Sequence, residues 1–304
     1  MITRAFLFLA AVGGIAVTIP LTAATGARER GRVTAQTAAR MAPPASAAEA
    51  AARFVAALGR PTRDGGIARQ DFPWHPYEGR WTFVRIHFND RWGDMRRFGR
   101  RRGGFIGSSG GPGWAHDYPS AEHNFSRILQ EITYVRALQS EYGGNILTWD
   151  DPRLFQFPVA YVSEPGQWSV TEEEAEPLRA YLLKGGFVIF DDFQDTDIYN
   201  LAEQMARVFP ALQFLPLDGT EAIFDSFFKI DPFAIVLPMY GRARPEWWGL
   251  FVDNDKEKRM LAIAGNNSDL GEYWEFSDRG YYPVDMSNEA YKVGVNYIVY
   301  AMTH

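Results

Sequence analysis

The sequence predicts an α/β fold, a three-layer sandwich in which a mostly parallel sheet is covered by helices on both faces. Three observations carry this. From Trp81 onward, short apolar runs of strand length alternate with amphipathic runs of helix length, the order that builds parallel sheets through crossover helices. One such unit is unusually sharp: Leu178-Arg179-Ala180-Tyr181-Leu182-Leu183-Lys184-Gly185-Gly186-Phe187-Val188-Ile189-Phe190-Asp191-Asp192-Phe193 reads as a helix end, a two-glycine turn, a buried strand and a carboxylate pair. No segment repeats at a fixed period, so the folded part is expected to be one domain of roughly 230 residues.

The N-terminus has a different character. Arg4 precedes a largely apolar run, Ala5 to Ala24, followed by small residues at Gly26 and Ala27. That pattern predicts a signal peptide or membrane anchor over residues 1–26. Export to the periplasm or exterior follows, with any membrane contact confined to this segment. Residues 27–75, rich in Ala, Pro and Arg, read as a flexible tether with a short helix over Ala47 to Leu58. The folded domain is expected over residues 76–304.

Within it, Trp81 to Phe88 is the first strand. An Arg/Gly loop from Arg91 to Gly113 follows, too polar and glycine-rich to pack. Phe125, Ile128, Leu129, Ile132, Val135 and Leu138 fall at helical spacing and predict a long helix, with Ser120 as N-cap and Gly143-Gly144 as its stop. Ile146 to Trp149 and Phe157 to Val162 read as the next two strands. Thr171 and Glu174 form a capping box for the following helix, in which Pro177 is a blemish. After the strand Phe187 to Phe190 comes a helix from Ile198 to Val208. Ala234 to Leu237, Leu250 to Val252 and Met260 to Ala264 read as strands, and Asn288 to Met302 as a terminal helix.

Composition narrows the chemistry. The chain has no cysteine and a net charge of −6. Thiolate catalysis, disulfides and Cys-ligated zinc are excluded, and nothing in the overall charge calls for nucleic acid. In open α/β sheets, ligands collect outside the carboxyl ends of the strands, which makes Asp191 and Asp192 the first candidates. Strand alternation would turn one toward the crevice and the other toward the sheet's flank or a helix N-terminus. His116, with Asp117 to orient it, precedes a helix start and could act as base or ligand. Asn266, Asn267, Asp269, Glu164 and Tyr118 complete a candidate ligand-binding rim, alongside Asp150-Asp151. His87 reads as a strand histidine packed in the core or its flank. Aromatics such as Trp247, Trp248, Trp274, Tyr281 and Tyr282 suit either packing or sugar stacking. No cofactor is required; if a metal binds, an oxygen-rich set would suit Mg or Ca.

His116-Asp117-Tyr118-Pro119, the Glu122-x-Asn124-Phe125 helix start, Leu178-Arg179-x-Tyr181-Leu182-x-x-Gly185-Gly186-Phe187, Asp191-Asp192-Phe193 and Asn266-Asn267-x-Asp269-Leu270-Gly271 together resemble a bacterial family, domain of unknown function 4159. The resemblance covers about Trp81 to Thr303. It implies the class I glutamine-amidotransferase-like superfamily and therefore a flavodoxin-like sandwich. In amidotransferases the turn at the end of the strand carries the nucleophilic cysteine between glycines; here Phe190-Asp191-Asp192-Phe193 occupies that place, with neither cysteine nor flanking glycine. The expectation is a catalytically degenerate binding or assembly module of the cell envelope, partnered by an envelope protein or a small polar ligand such as a carbohydrate. The alternative is a metal- or carboxylate-dependent hydrolase built on Asp191, Asp192 and His116.

Overall fold

A computed structural model of the chain describes residues 72, 74–90, 112–235 and 244–304. The segment expected to be a signal or anchor, most of the expected tether with its helix, and residues 91–111 of the Arg/Gly loop lie outside the described residues.

A seven-stranded sheet forms the centre, in the order β3-β1-β4-β6-β9-β8-β7. Its strands are β1 (Phe83–Ile86), β3 (Gly144–Leu147), β4 (Val159–Ser163), β6 (Phe187–Phe193), β7 (Phe214–Pro216), β8 (Glu246–Phe251) and β9 (Met260–Asn266). A short ladder pairs β2 (Asn89–Asp90) with β5 (Trp168–Ser169). β3, β1, β4, β6 and β9 run parallel. Counted among themselves in chain order they stand 2-1-3-4-5, the flavodoxin-like order. β8 and β7 add an antiparallel edge. The helices are α1 (Ser120–Ile132), α2 (Glu172–Leu183), α3 (Asp197–Val208), α4 (Leu270–Glu275) and α5 (Val284–Thr303).

Alternation along the strands builds two cores. Phe83, Tyr161, Phe187, Ile189 and Ile263 face α1, α4 and α5, meeting Phe125, Leu129, Trp274 and Val295. Val84, Val162, Val188, Phe190 and Ala262 face α2 and α3, meeting Leu178, Leu182, Leu201 and Met205. Strands buried on both faces read as continuous apolar runs, which is why they were legible in the sequence. Helices thus cover both faces, as expected for a three-layer α/β sandwich.

Several boundaries differ from expectation. α1 stops at Ile132 rather than continuing toward Gly143. Thr133 turns extended, its hydroxyl bonding Leu129 O at 2.5 Å, and Ala137 bridges Trp81 as an added strand pair. Val135 and Leu138 are therefore packed by tertiary pairing, not by a helix. Ser120 is not the N-cap: Pro119 holds that position without a side-chain bond, and Ser120 opens the helix. The capping box at Thr171 and Glu174 forms in full, and Pro177 sits inside α2 without ending it. α3 matches its predicted span closely, whereas α5 begins earlier, at Val284. β8 lies upstream of the expected Leu250 to Val252, because Val252 already belongs to the turn into β9. Ala234 is in a turn and Ile235 is not in a strand; residues 236–243 lie outside the described residues.

Candidate functional site

The parallel strands place their carboxyl ends together. β6 ends there in a bulge: its register to β9 shifts between Phe190 and Phe193, and Asp192 adopts φ +60°. That left-handed residue breaks the alternation. Its N–H turns to Ser268 O at 3.1 Å, and both aspartates enter one polar cluster.

Their tasks differ. Asp191 Oδ2 accepts the Tyr161 hydroxyl at 2.8 Å and the backbone N–H groups of Leu270 and Gly271 at 2.8 and 3.0 Å. It ties β6 to the first turn of α4. Burial, with Asp192 next to it, still pushes its pKa up to about 7. Asp192 Oδ2 instead accepts the Ser163 hydroxyl at 3.1 Å and contacts His116 Nδ1 at 2.5 Å. Asp191 thus meets a helix N-terminus, one of the two places the alternation allowed, while Asp192 is buried against His116 and Ser163 and faces no open crevice among the described residues.

His116 comes from the turn before α1. Its Nδ1 also lies 3.5 Å from Asp117 Oδ1 and 3.9 Å from Glu164 Oε1. Burial alone would lower its pKa, but Asp117, Asp192 and Glu164 outweigh burial and hold the imidazolium up to about 11. Asp117, at φ +63°, is buried at 2 % exposure; desolvation lifts its pKa well above the carboxylate range. Asp269, fully buried, is raised the same way, with Asp192 beside it adding to the shift. One ligand atom from each of His116, Asp117, Asp192 and Asp269 can be chosen so that all lie within 4.8 Å of one another, and Glu272 and Glu275 extend the acidic group on the side of Asp117.

The strand-end rim thus brings together Asp191, Asp192, His116, Asp117, Asp269 and Glu164. Tyr118 departs from the set: it is buried, with its ring 6.0 Å from the Arg85 guanidinium. Asp150 bonds Thr148, and Asp151 caps the turn holding Arg153. Neither joins the cluster. His87 packs edge-on against Trp114, and burial lowers its pKa to about 4. Asn266 and Asn267 face a different feature, a groove of about 650 Å³ between α3 and the β8–β7 edge. Asp195, Tyr199, Phe214, Glu246 and Trp248 also line it.

Sequence reasoning missed the support behind the site. Arg85, buried in β1, pairs its Nε with Glu122 Oε1 and donates to Trp114 O at 3.0 Å, two residues before His116. A charged residue within an apolar strand, with an acid at the next helix start, is the signal that could have pointed to it.

The family model for a domain of unknown function (DUF4159) matches residues 105–302, a span that includes every rim residue named above. The chain belongs to this family. No curated protein matches it. For this DUF4159 protein the family adds no reaction, so function rests on the site's own chemistry.

Proposed function

We propose that this protein is a non-catalytic ligand-holding module, exported to the bacterial cell envelope, that binds a neutral saccharide in the groove between α3 and the β8–β7 edge. The groove carries the reading. Its volume of about 650 Å³ suits a small ligand. Half-buried Trp248 and Phe214 and exposed Tyr199 offer flat apolar faces. Asn267, Gln213, Asp195 and Glu246 offer amide and carboxylate groups, and buried Asn266 backs the wall, its Nδ2 donating to Glu246 Oε2 at 3.3 Å. Flat aromatic faces beside planar hydrogen-bonding groups match the two surfaces of a sugar ring. The two carboxylates on the wall argue against an anionic ligand.

Three further observations support the reading. The flavodoxin-like strand order is compatible with the amidotransferase-like superfamily, whose nucleophile turn would fall at Asp191-Asp192. The absence of cysteine removes thioester chemistry from that turn. Ser163, a hydroxyl beside that turn, is fully buried and already donates to Asp192. Export rests on the apolar run before Ala24. Among the described residues no helix is long and apolar enough to cross a membrane.

The test is calorimetry and saturation-transfer NMR on the full chain with neutral and acidic envelope oligosaccharides. Saturable binding of a neutral saccharide is expected, weakened roughly 3- to 10-fold by Trp248→Ala through loss of stacking. If no neutral saccharide binds, or if Trp248→Ala binds as wild type does, the reading fails.

A further inference from the structure

We propose that His116, Asp117, Asp192 and Asp269 form a binding site for one divalent transition-metal cation, of the Mn²⁺ or Zn²⁺ kind. The site is separate from the groove and does not depend on it.

The geometry comes first. Four side chains from three different rim segments each present a ligand atom, and these atoms lie within 4.8 Å of one another. Two ligands on one ion with metal–ligand bonds of about 2.0–2.2 Å stand at most about 4.4 Å apart, so the widest spacing here closes onto an ion with a shift of a few tenths of an ångström. The segments are the turn before α1, the bulge of β6 and the β9–α4 turn, and the bulge at Asp192 is the backbone device that turns its carboxylate into the cluster.

Unpartnered acceptors are the second, independent observation. Asp117 is 2 % exposed, yet no group among the described residues hydrogen-bonds either of its carboxylate oxygens; His116 Nδ1, 3.5 Å from Oδ1, is bonded to Asp192 instead. Asp269 is fully buried; its Oδ1 accepts Glu272 N–H at 2.8 Å, while Oδ2 receives no donor. Nearly all buried acceptors in folded proteins are satisfied, and a buried carboxylate left without a donor is costly. Here two such carboxylates face the same small volume as Asp192. A cation is the group that satisfies several carboxylate oxygens at once.

The donor set selects the ion. Three carboxylates alone would suit Mg²⁺ or Ca²⁺. An imidazole nitrogen among them, which the incoming ion must strip of its proton, favours Mn²⁺ or Zn²⁺. Backbone conformation supports the arrangement: Asp117 holds φ +63°, and a Cβ on Gly271 would stand 2.4 Å from Asp117 Oδ2. The bare glycine therefore makes room for that carboxylate. Bound there, the ion would staple together three rim segments whose buried acids otherwise share only the His116 imidazolium.

The experiment titrates the full chain, stripped with EDTA, with MnCl₂, ZnCl₂, MgCl₂ or CaCl₂ by calorimetry, with thermal melting and Mn²⁺ EPR in parallel. One equivalent of Mn²⁺ or Zn²⁺ is expected to bind. A hundredfold excess over Kd should raise Tm by roughly 5 °C or more. Asp117→Asn, which tolerates the same left-handed backbone, and Asp269→Asn should each weaken binding at least 10-fold. No saturable Mn²⁺ or Zn²⁺ binding by wild type overturns the proposal, as does unchanged affinity in both variants. Should a variant fail to fold, the wild-type EPR spectrum decides, because absence of a bound Mn²⁺ signal displaceable by Zn²⁺ is sufficient to reject the site. No saccharide is present, so failure here leaves the groove reading standing, and failure there leaves this one.

Discussion

Replacing Glu122 with alanine should be among the most damaging single changes in this protein. Arg85 and Glu122 have side chains 0 % and 1 % exposed and are directly paired. The guanidinium also donates to Trp114 O at 3.0 Å and lies 5.0 Å from the Tyr161 ring centroid. Those contacts hold the positive charge where it is, so Glu122→Ala leaves it buried without its counter-ion. Breaking one side of a buried pair costs about 3–5 kcal/mol. Against a total stability of about 5–15 kcal/mol, that corresponds to a fall in Tm of roughly 6–20 °C for a domain of this size. Removing both charges with Arg85→Met and Glu122→Leu should return stability to within about 2 kcal/mol of wild type, because the desolvation of both ions is then avoided. Urea unfolding followed by circular dichroism measures each variant, with an unchanged m-value required for comparison. A loss below about 1 kcal/mol for Glu122→Ala, or a double variant as unstable as the two singles summed, would refute the reasoning.

Two further outcomes follow from the same packing. With its pKa held up at about 7, Asp191 keeps its proton more tightly folded than unfolded. Its contribution is complete below its unfolded value of about 4 and is lost as pH rises through 7, at up to about 1.4 kcal/mol per pH unit. In metal-free buffer the urea midpoint should therefore fall between pH 5 and pH 8, and Asp191→Asn should flatten part of that slope; a midpoint that rises over this range would contradict the assignment. Gly294 in α5 lies where an added Cβ would stand 2.6 Å from ring atoms of both Phe125 and Trp274. Gly294→Ala should cost about 1–3 kcal/mol through overpacking despite alanine's better helix propensity, and a stabilised variant in thermal melting would show that the two rings yield freely.

Much of the fold could be read without coordinates because its signals are local. The run Phe187-Val188-Ile189-Phe190 is apolar on both faces, and Thr171 with Glu174 satisfies a helix start within one turn of chain. α1 shows where that kind of reading ends. Val135 and Leu138 continue its helical spacing, but Ala137 gains a strand partner in Trp81, more than fifty residues away. Periodicity cannot tell an apolar residue buried by a helix from one buried by a distant strand. The rim was legible only as a list: strand ends, a histidine before a helix and an Asn/Asp-rich turn. Tyr118 belonged to that list by adjacency, yet its ring packs by Arg85, since one residue of chain is enough to change which way a side chain faces.

By itself the sequence determined the layers, the strand ends and the absence of a thiol, because apolar periodicity, turn residues and composition act over a few neighbouring positions. Tertiary structure alone decided that His116, Asp117, Asp192 and Asp269 converge while Asn266 and Asn267 open onto a separate groove. That outcome depends on the bulge and left-handed turn at Asp192. Such a conformation is imposed by what lies beside it, Ser268 O, Ser163 and His116, and residues that distant along the chain meet only once the sheet has formed.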